Sequence, residues 1–163
     1  AMQATAFKSL AAAFALCALA AAPTAYAQDA SLSVQEPWVR ASVPNQHATG
    51  AFMRLTSTAP ARLVAVESPA ARNVEIHEMA MQDNVMKMRQ VAGIDLPAGQ
   101  AVELKPGGYH VMLIDLVSQI NAGQHVPLTL VIEDAQRQQR RITVDAEARP
   151  LGAAAKPAAG HAH

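Results

Sequence analysis

Cysteine is nearly absent. Cys17 is the only one in 163 residues, and it lies in a leader expected to be removed. Residues 1–27 carry Lys8 as their sole charge. They run from Leu10 to Ala22 almost wholly in Ala, Leu, Phe and Cys, and reach Ala25-Tyr26-Ala27 before Gln28. A basic start, a short apolar run and an A-x-A site mark a secretory signal peptide, cleaved after Ala27. The run is shorter than the roughly 20 residues that cross a bilayer. No twin arginine is present, so the general secretory route is favoured, and Cys17 follows Leu16 rather than a small residue, which argues against a lipid anchor. A periplasmic chain starting at Gln28 is therefore expected to have no disulfide, no thiol chemistry and no thiolate metal ligand.

Other shortages exclude further classes. Aromatic residues make up 4% of the sequence, and beyond the leader only Trp38, Phe52 and Tyr109 remain to line a substrate pocket. An enzyme is disfavoured on that ground. Lysine and arginine number 13 against 13 acidic residues, and the leader removes only Lys8. This near-neutral balance leaves no footprint for nucleic acid and no basic stripe for a membrane surface. No segment beyond the leader keeps a helical period, apart from a possible turn near Leu116 to Ile120.

What remains is a succession of short strands. Val34 to Val39, interrupted by Pro37, reads as an edge strand. Ala51 to Ser57 alternates as a half-buried strand does, and Leu63 to Val66 is another. Val74 to Met81 and Met86 to Ala92 flank a turn at Gln82-Asp83-Asn84 and read as a hairpin. Ala101 to Leu104, Tyr109 to Leu116, Val126 to Ile132 and Arg140 to Ala146 follow. Roughly eight or nine strands at this spacing, punctuated by Pro and Gly, predict an all-β, antiparallel Greek-key sandwich or barrel. It should occupy residues 28–147. Residues 148–163 are Ala- and Gly-rich, end Gly160-His161-Ala162-His163, and are expected to form a mobile tail.

The functional signal lies between His77 and Met112, which holds five of the seven methionines and two of the six histidines. Alternation along a strand puts Glu75, His77, Met79 and Met81 on one face, away from Val74 and Ile76. It likewise puts His110 and Met112 opposite Val111 and Leu113, and Met86 and Met88 opposite Lys87 and Arg89. A single methionine is ordinary core filler. Three strands each presenting methionine on one side, two of them with histidine, are not explained by core packing. Zinc sites use Cys, His and carboxylate, and calcium and magnesium take oxygen. Thioether with imidazole suits Cu(I), and without a thiolate a blue-copper electron-transfer site is excluded.

His77, ten intervening residues, Met88, twenty-one more, then His110-Val111-Met112 resembles the H-x10-M-x21-H-x-M motif of the periplasmic PCu(A)C copper chaperones. The flanks are similar too: Val74 to His77 with Met79, Val85 to Arg89, and Val102 to His110. The likeness extends more loosely from about Pro37 to Val144. It implies a cupredoxin-like β-sandwich, one Cu(I) held by His77, Met88, His110 and Met112, and delivery towards the CuA centre of cytochrome c oxidase or another oxidase-assembly copper protein. A monomer is expected.

Met79 and Met86 stand beside this set as auxiliary ligands or rim residues, and Glu75 is expected to be solvated unless it holds the second nitrogen of His77. His47 and His125 are expected in solvent. The tail pair His161 and His163 could close over a second metal, Cu(II), for which nitrogen ligands are preferred. His77-Glu78 begins an H-E-x-x-H pattern, but position 81 is Met, so no metalloprotease is indicated. The competing role is periplasmic copper buffering and resistance, which would use the same site.

Overall fold

The computed structural model describes residues 31–150. The expected leader with Cys17 and the tail histidines His161 and His163 lie outside the described residues. Ten strands follow in order: β1 (Leu32–Arg40), β2 (Ala48–Ser57), β3 (Ala61–Glu67), β4 (Ala71–Gln82), β5 (Val85–Gln90), β6 (Ile94–Leu96), β7 (Ala101–Leu104), β8 (His110–Leu116), β9 (His125–Asp134) and β10 (Gln139–Arg149). Among the described residues there is no helix, and so none long and apolar enough to cross a membrane. The possible turn of helix at Leu116 to Ile120 is instead the end of β8 and a bend. Ile120 is drawn into the core there, and its amide donates to Ser42 Oγ at 2.8 Å.

The strands hydrogen-bond in the order β5-β4-β8-β2-β1-β10-β9-β3-β6, with β7 also on β2. Strand β2 is the pivot: Ala48 to Ala51 pair with β8, whereas Met53 to Thr56 pair with β7. Just past β6, Ala98 bridges to Ser57 at the end of β2, and the Gly99 amide donates to the Ser57 carbonyl at 2.7 Å. The sheet thus folds back on itself around Leu55, Leu63, Leu113, Leu128, Leu130 and Ile132, all fully buried. Burying each such side chain contributes roughly 1.5–3 kcal/mol.

Three expectations are corrected. Strand β1 is not an edge: it pairs antiparallel with β2 and parallel with β10, so the sandwich is mixed and not purely antiparallel. Pro37 is tolerated because Glu36 and Pro37 together oppose one residue of β2, a bulge that takes the missing N–H out of the ladder; Glu36 adopts φ 48° there. Strand β6 escapes notice because it is three residues long, with Ile94 and Leu96 buried around an exposed Asp95. Strand β10 continues through Ala148 and Arg149, which composition assigns to the tail; they pair with Val39 and Arg40.

Two turns position the functional face. Asp83 and Asn84 have φ of 52° and 61°, the two positive values of a type I′ hairpin turn. This fixes the β4/β5 register as Met79 opposite Met88 and Met81 opposite Met86. Between β7 and β8, Pro106 and Gly107 (φ 88°) turn the chain, and the Gly108 amide donates to the Lys105 carbonyl at 3.0 Å. A positive φ at the third turn position, after proline, is the type II pattern. It leaves the Gly108 carbonyl aimed at the start of β8.

Candidate metal centre

At the β5-β4-β8 end of the sheet, His77 stands directly across from His110, and Glu75 from Met112. One rung outward, Met79 faces Met88. Residues directly opposite share a face, so His77, Met88, His110 and Met112 all lie on the side away from Ile76, Val111 and Leu113, which are buried in the core. The alternation expected from sequence holds along all three strands.

The two imidazoles are 5.8 Å apart between ring centroids, tilted by 36°. His110 is buried, with 6% of its surface exposed, whereas Met88 is 50% exposed. The Met88 sulfur lies 3.1 Å from His110 Nε2. His110 Nδ1 lies 3.0 Å from the Gly108 carbonyl, which can only accept, so Nδ1 carries the proton and Nε2 of the neutral ring has a free lone pair. That lone pair faces a thioether sulfur, which has no proton to offer. Two electron-pair donors at this separation form a pocket that a soft cation would satisfy.

His77 is held from the other side. Its Nε2 lies 2.7 Å from Glu75 Oε2, and Asn73 Nδ2 donates to Glu75 Oε1 at 3.0 Å. The hydrogen bond from His77, and then that from Asn73, keep the Glu75 carboxyl below its ordinary range. Glu75 is therefore engaged and not merely solvated, and its place two residues before His77 on a strand was the legible signal for it. His77 Nδ1 is buried and without a hydrogen-bond partner. Orphaned buried ring nitrogens are rare and ask for an explanation; an absent ligand is one.

Sequence reasoning missed the wall of the site. Phe52, buried on β2, has its ring 6.4 Å from that of His110 and 4.5 Å from that of Trp38. The Arg40 and Arg149 guanidinium groups cover these two rings at 5.6 and 5.1 Å. Gly50, opposite Met112, makes room: a Cβ there would sit 2.8 Å from Phe52 Cζ. The scarcity of aromatics was the one hint, since two of the three in the folded part gather here.

The remaining candidates separate cleanly. Met53 is core, 3% exposed. Met79 is half-buried against Met88, and Met81 and Met86 are exposed beyond it. His47 and His125 are exposed, on the loop before β2 and at the start of β9. Among the described residues no three His, Cys, Asp or Glu side chains come together. The donors that do gather are imidazole and thioether.

The family described as "Putative lipoprotein LpqE-like" matches residues 32–145. A protein of Leifsonia xyli subsp. xyli, "Putative lipoprotein Lxx21020", is 31% identical over 116 residues, covering 71% of this chain and 70% of that one. Among solved structures, the copper-bound PCuAC domain from PmoF2 superposes with a TM-score of 0.61 at 28% identity, over 74% of this chain and 93% of that domain. The Cu(I) form of DR1885 from Deinococcus radiodurans, solved in solution, gives a TM-score of 0.53 at 26% identity, over 76% and 83% of the two chains.

Proposed function

Because the chain belongs to the LpqE-like family and has the cupredoxin-like fold of PCuAC domains, we propose that it is a copper chaperone. It binds one Cu(I) through His77, Met88, His110 and Met112. It acts outside the cytoplasm and hands copper on towards oxidase assembly, the CuA-bearing subunit of cytochrome c oxidase being the foremost recipient. The observation that carries the reading is the 3.1 Å approach of the Met88 sulfur to His110 Nε2, on the rung next to the His77–His110 pair.

The chemistry is ligand exchange. Neutral thioethers and imidazoles stabilise a monovalent soft ion without supplying negative charge, and none of them competes for it as a thiolate would. Half-exposed Met88 leaves the ion reachable by a recipient's side chains, whereas buried His110 anchors it. Imidazoles protonate and thioethers do not, so affinity falls on acidification.

The test is anaerobic Cu(I) competition against a chelator for the wild type, Met88→Ala and His110→Ala. One tight equivalent in the wild type and weakened binding in both variants is expected; unchanged binding in both refutes the site. Delivery is read separately, as oxidase activity under scarce copper in a strain lacking the gene.

A further inference from the structure

The β4/β5 hairpin extends past the four proposed ligands and carries a second pair of thioethers. Met81 stands directly opposite Met86, two residues beyond the Met79–Met88 pair on each strand and on the same face. Met81 is 65% exposed and Met86 47%. Core packing, which accounts for Met53, does not account for them: at this exposure they fill no gap, and apolar side chains set together in solvent ask for a binding role.

The three rungs form a graded series. His77 faces His110, with His110 buried; Met79 faces Met88, with Met79 half-buried and Met88 half-exposed; Met81 faces Met86 in solvent. Successive rungs are about 6.6 Å apart along a strand, and methionine has three rotatable side-chain bonds, so sulfurs on neighbouring rungs can share one ion. The basic residues of the hairpin, Lys87 and Arg89, point to the other face, where Arg89 pairs with Glu78.

We propose that Met81 and Met86 form an outer, weaker two-thioether site for Cu(I), through which the ion passes on leaving the inner site. The inference rests on copper being the cargo. Two exchanges form Cu–S bonds to Met81 and Met86 as two copper–ligand bonds of the inner site break, and the other two inner bonds break as donors of the recipient or water take their place, with no change of oxidation state and no proton moved. A recipient offering a further soft donor would complete the coordination that two thioethers leave open.

The experiment is a titration of the full chain, labelled at the methionine methyls, with Ag(I) as a redox-inert stand-in, followed by NMR, beside the rate at which excess chelator removes Cu(I). In the wild type the first equivalent should move the Met88 and Met112 methyls and the second those of Met81 and Met86. Leucine at both outer positions, Met81→Leu with Met86→Leu, should keep the first phase, abolish the second and slow copper release about tenfold, equivalent to about 1.4 kcal/mol on the barrier. Met81 and Met86 methyls that stay still through the second equivalent, or release from the double variant at the wild-type rate, overturn the proposal. Failure of the inner site would show separately, as unmoved Met88 and Met112 methyls in the first phase.

Discussion

Glu75 Oε2 lies 2.7 Å from Nε2 of His77, while Nδ1 of the same ring is buried with no partner. The Glu75 carboxyl is held below its ordinary range by His77 and Asn73, so at neutral pH it is an ionised acceptor and Nε2 must carry the proton. The lone pair of the neutral ring is then on Nδ1. On His110 the roles reverse, because Nδ1 donates to the Gly108 carbonyl and the Nε2 lone pair faces the Met88 sulfur. The two neutral imidazoles therefore keep opposite nitrogens unprotonated, each fixed by its own acceptor.

Removing that acceptor should cost copper affinity without touching a ligand. Glu75→Ala is expected to weaken Cu(I) binding by about 10–100-fold, the usual range for a partner that orients a metal-binding histidine. Glu75→Gln keeps an acceptor oxygen and should fall between. Nitrogen-15 NMR of the metal-free protein reads the tautomer directly. An Nε2–H ring on His77 is expected, and an Nδ1–H ring would contradict the assignment.

Gly50 sets the wall beside His110. Phe52 is pinned by Trp38 at 4.5 Å and Arg40 at 5.6 Å, so it cannot swing away from a Cβ placed 2.8 Å from its ring. Gly50→Ala should destabilise the fold by about 1–3 kcal/mol, the cost of overfilling a packed site. It should also shift the His110 ring signals. Chemical denaturation gives the first quantity and NMR the second; a variant as stable as wild type would mean that Phe52 is free to move.

The face bearing the site was legible because period-two alternation needs only local sequence. His77, Met79 and Met81 must share a side whatever they pair with. Three things were not legible. Which strands adjoin is a long-range matter, and the parallel β1/β10 pair could not be read from either strand alone. Pro37 signalled an edge because a bulge that removes its position from the ladder leaves no mark in composition. The contact of Phe52 with His110, fifty-eight residues apart in the chain, depends on Gly50, which lies two strands from His77 in the sheet, and no spacing rule links them.

Acid should loosen the fold partly through Glu103. Arg54, on β2, hydrogen-bonds this β7 carboxylate at 3.0 Å and holds it below its ordinary value of 4.5. A depressed folded pKa contributes stability above the unfolded value, and that contribution is lost as pH falls through the folded one. Both side chains are about 40% exposed, so solvent screening limits the contribution to about 1 kcal/mol at most. Arg54→Met should be less stable than wild type at neutral pH, with the gap closing as pH falls below the ordinary carboxyl value of 4.5. If urea unfolding finds the gap unchanged on acidification, the pair is not its source.

The Asp83-Asn84 turn decides whether Met88 meets His110 at all. Both residues have positive φ, 52° and 61°, and the register they set places Met88 opposite Met79. A slip by one residue would turn Met88 to the face of Lys87 and Arg89. Asn84→Gly suits the left-handed backbone and should leave copper binding intact. Asn84→Val puts a β-branched side chain there at a cost of about 1–2 kcal/mol, and the cheapest relief is to open the hairpin or shift its register. Lower Cu(I) affinity and faster amide exchange confined to β4 and β5 are expected for Val and not for Gly. Equal affinity in the two variants would mean that the pairing of β4 with β8, which brings His77 to His110, positions the methionines without help from the turn.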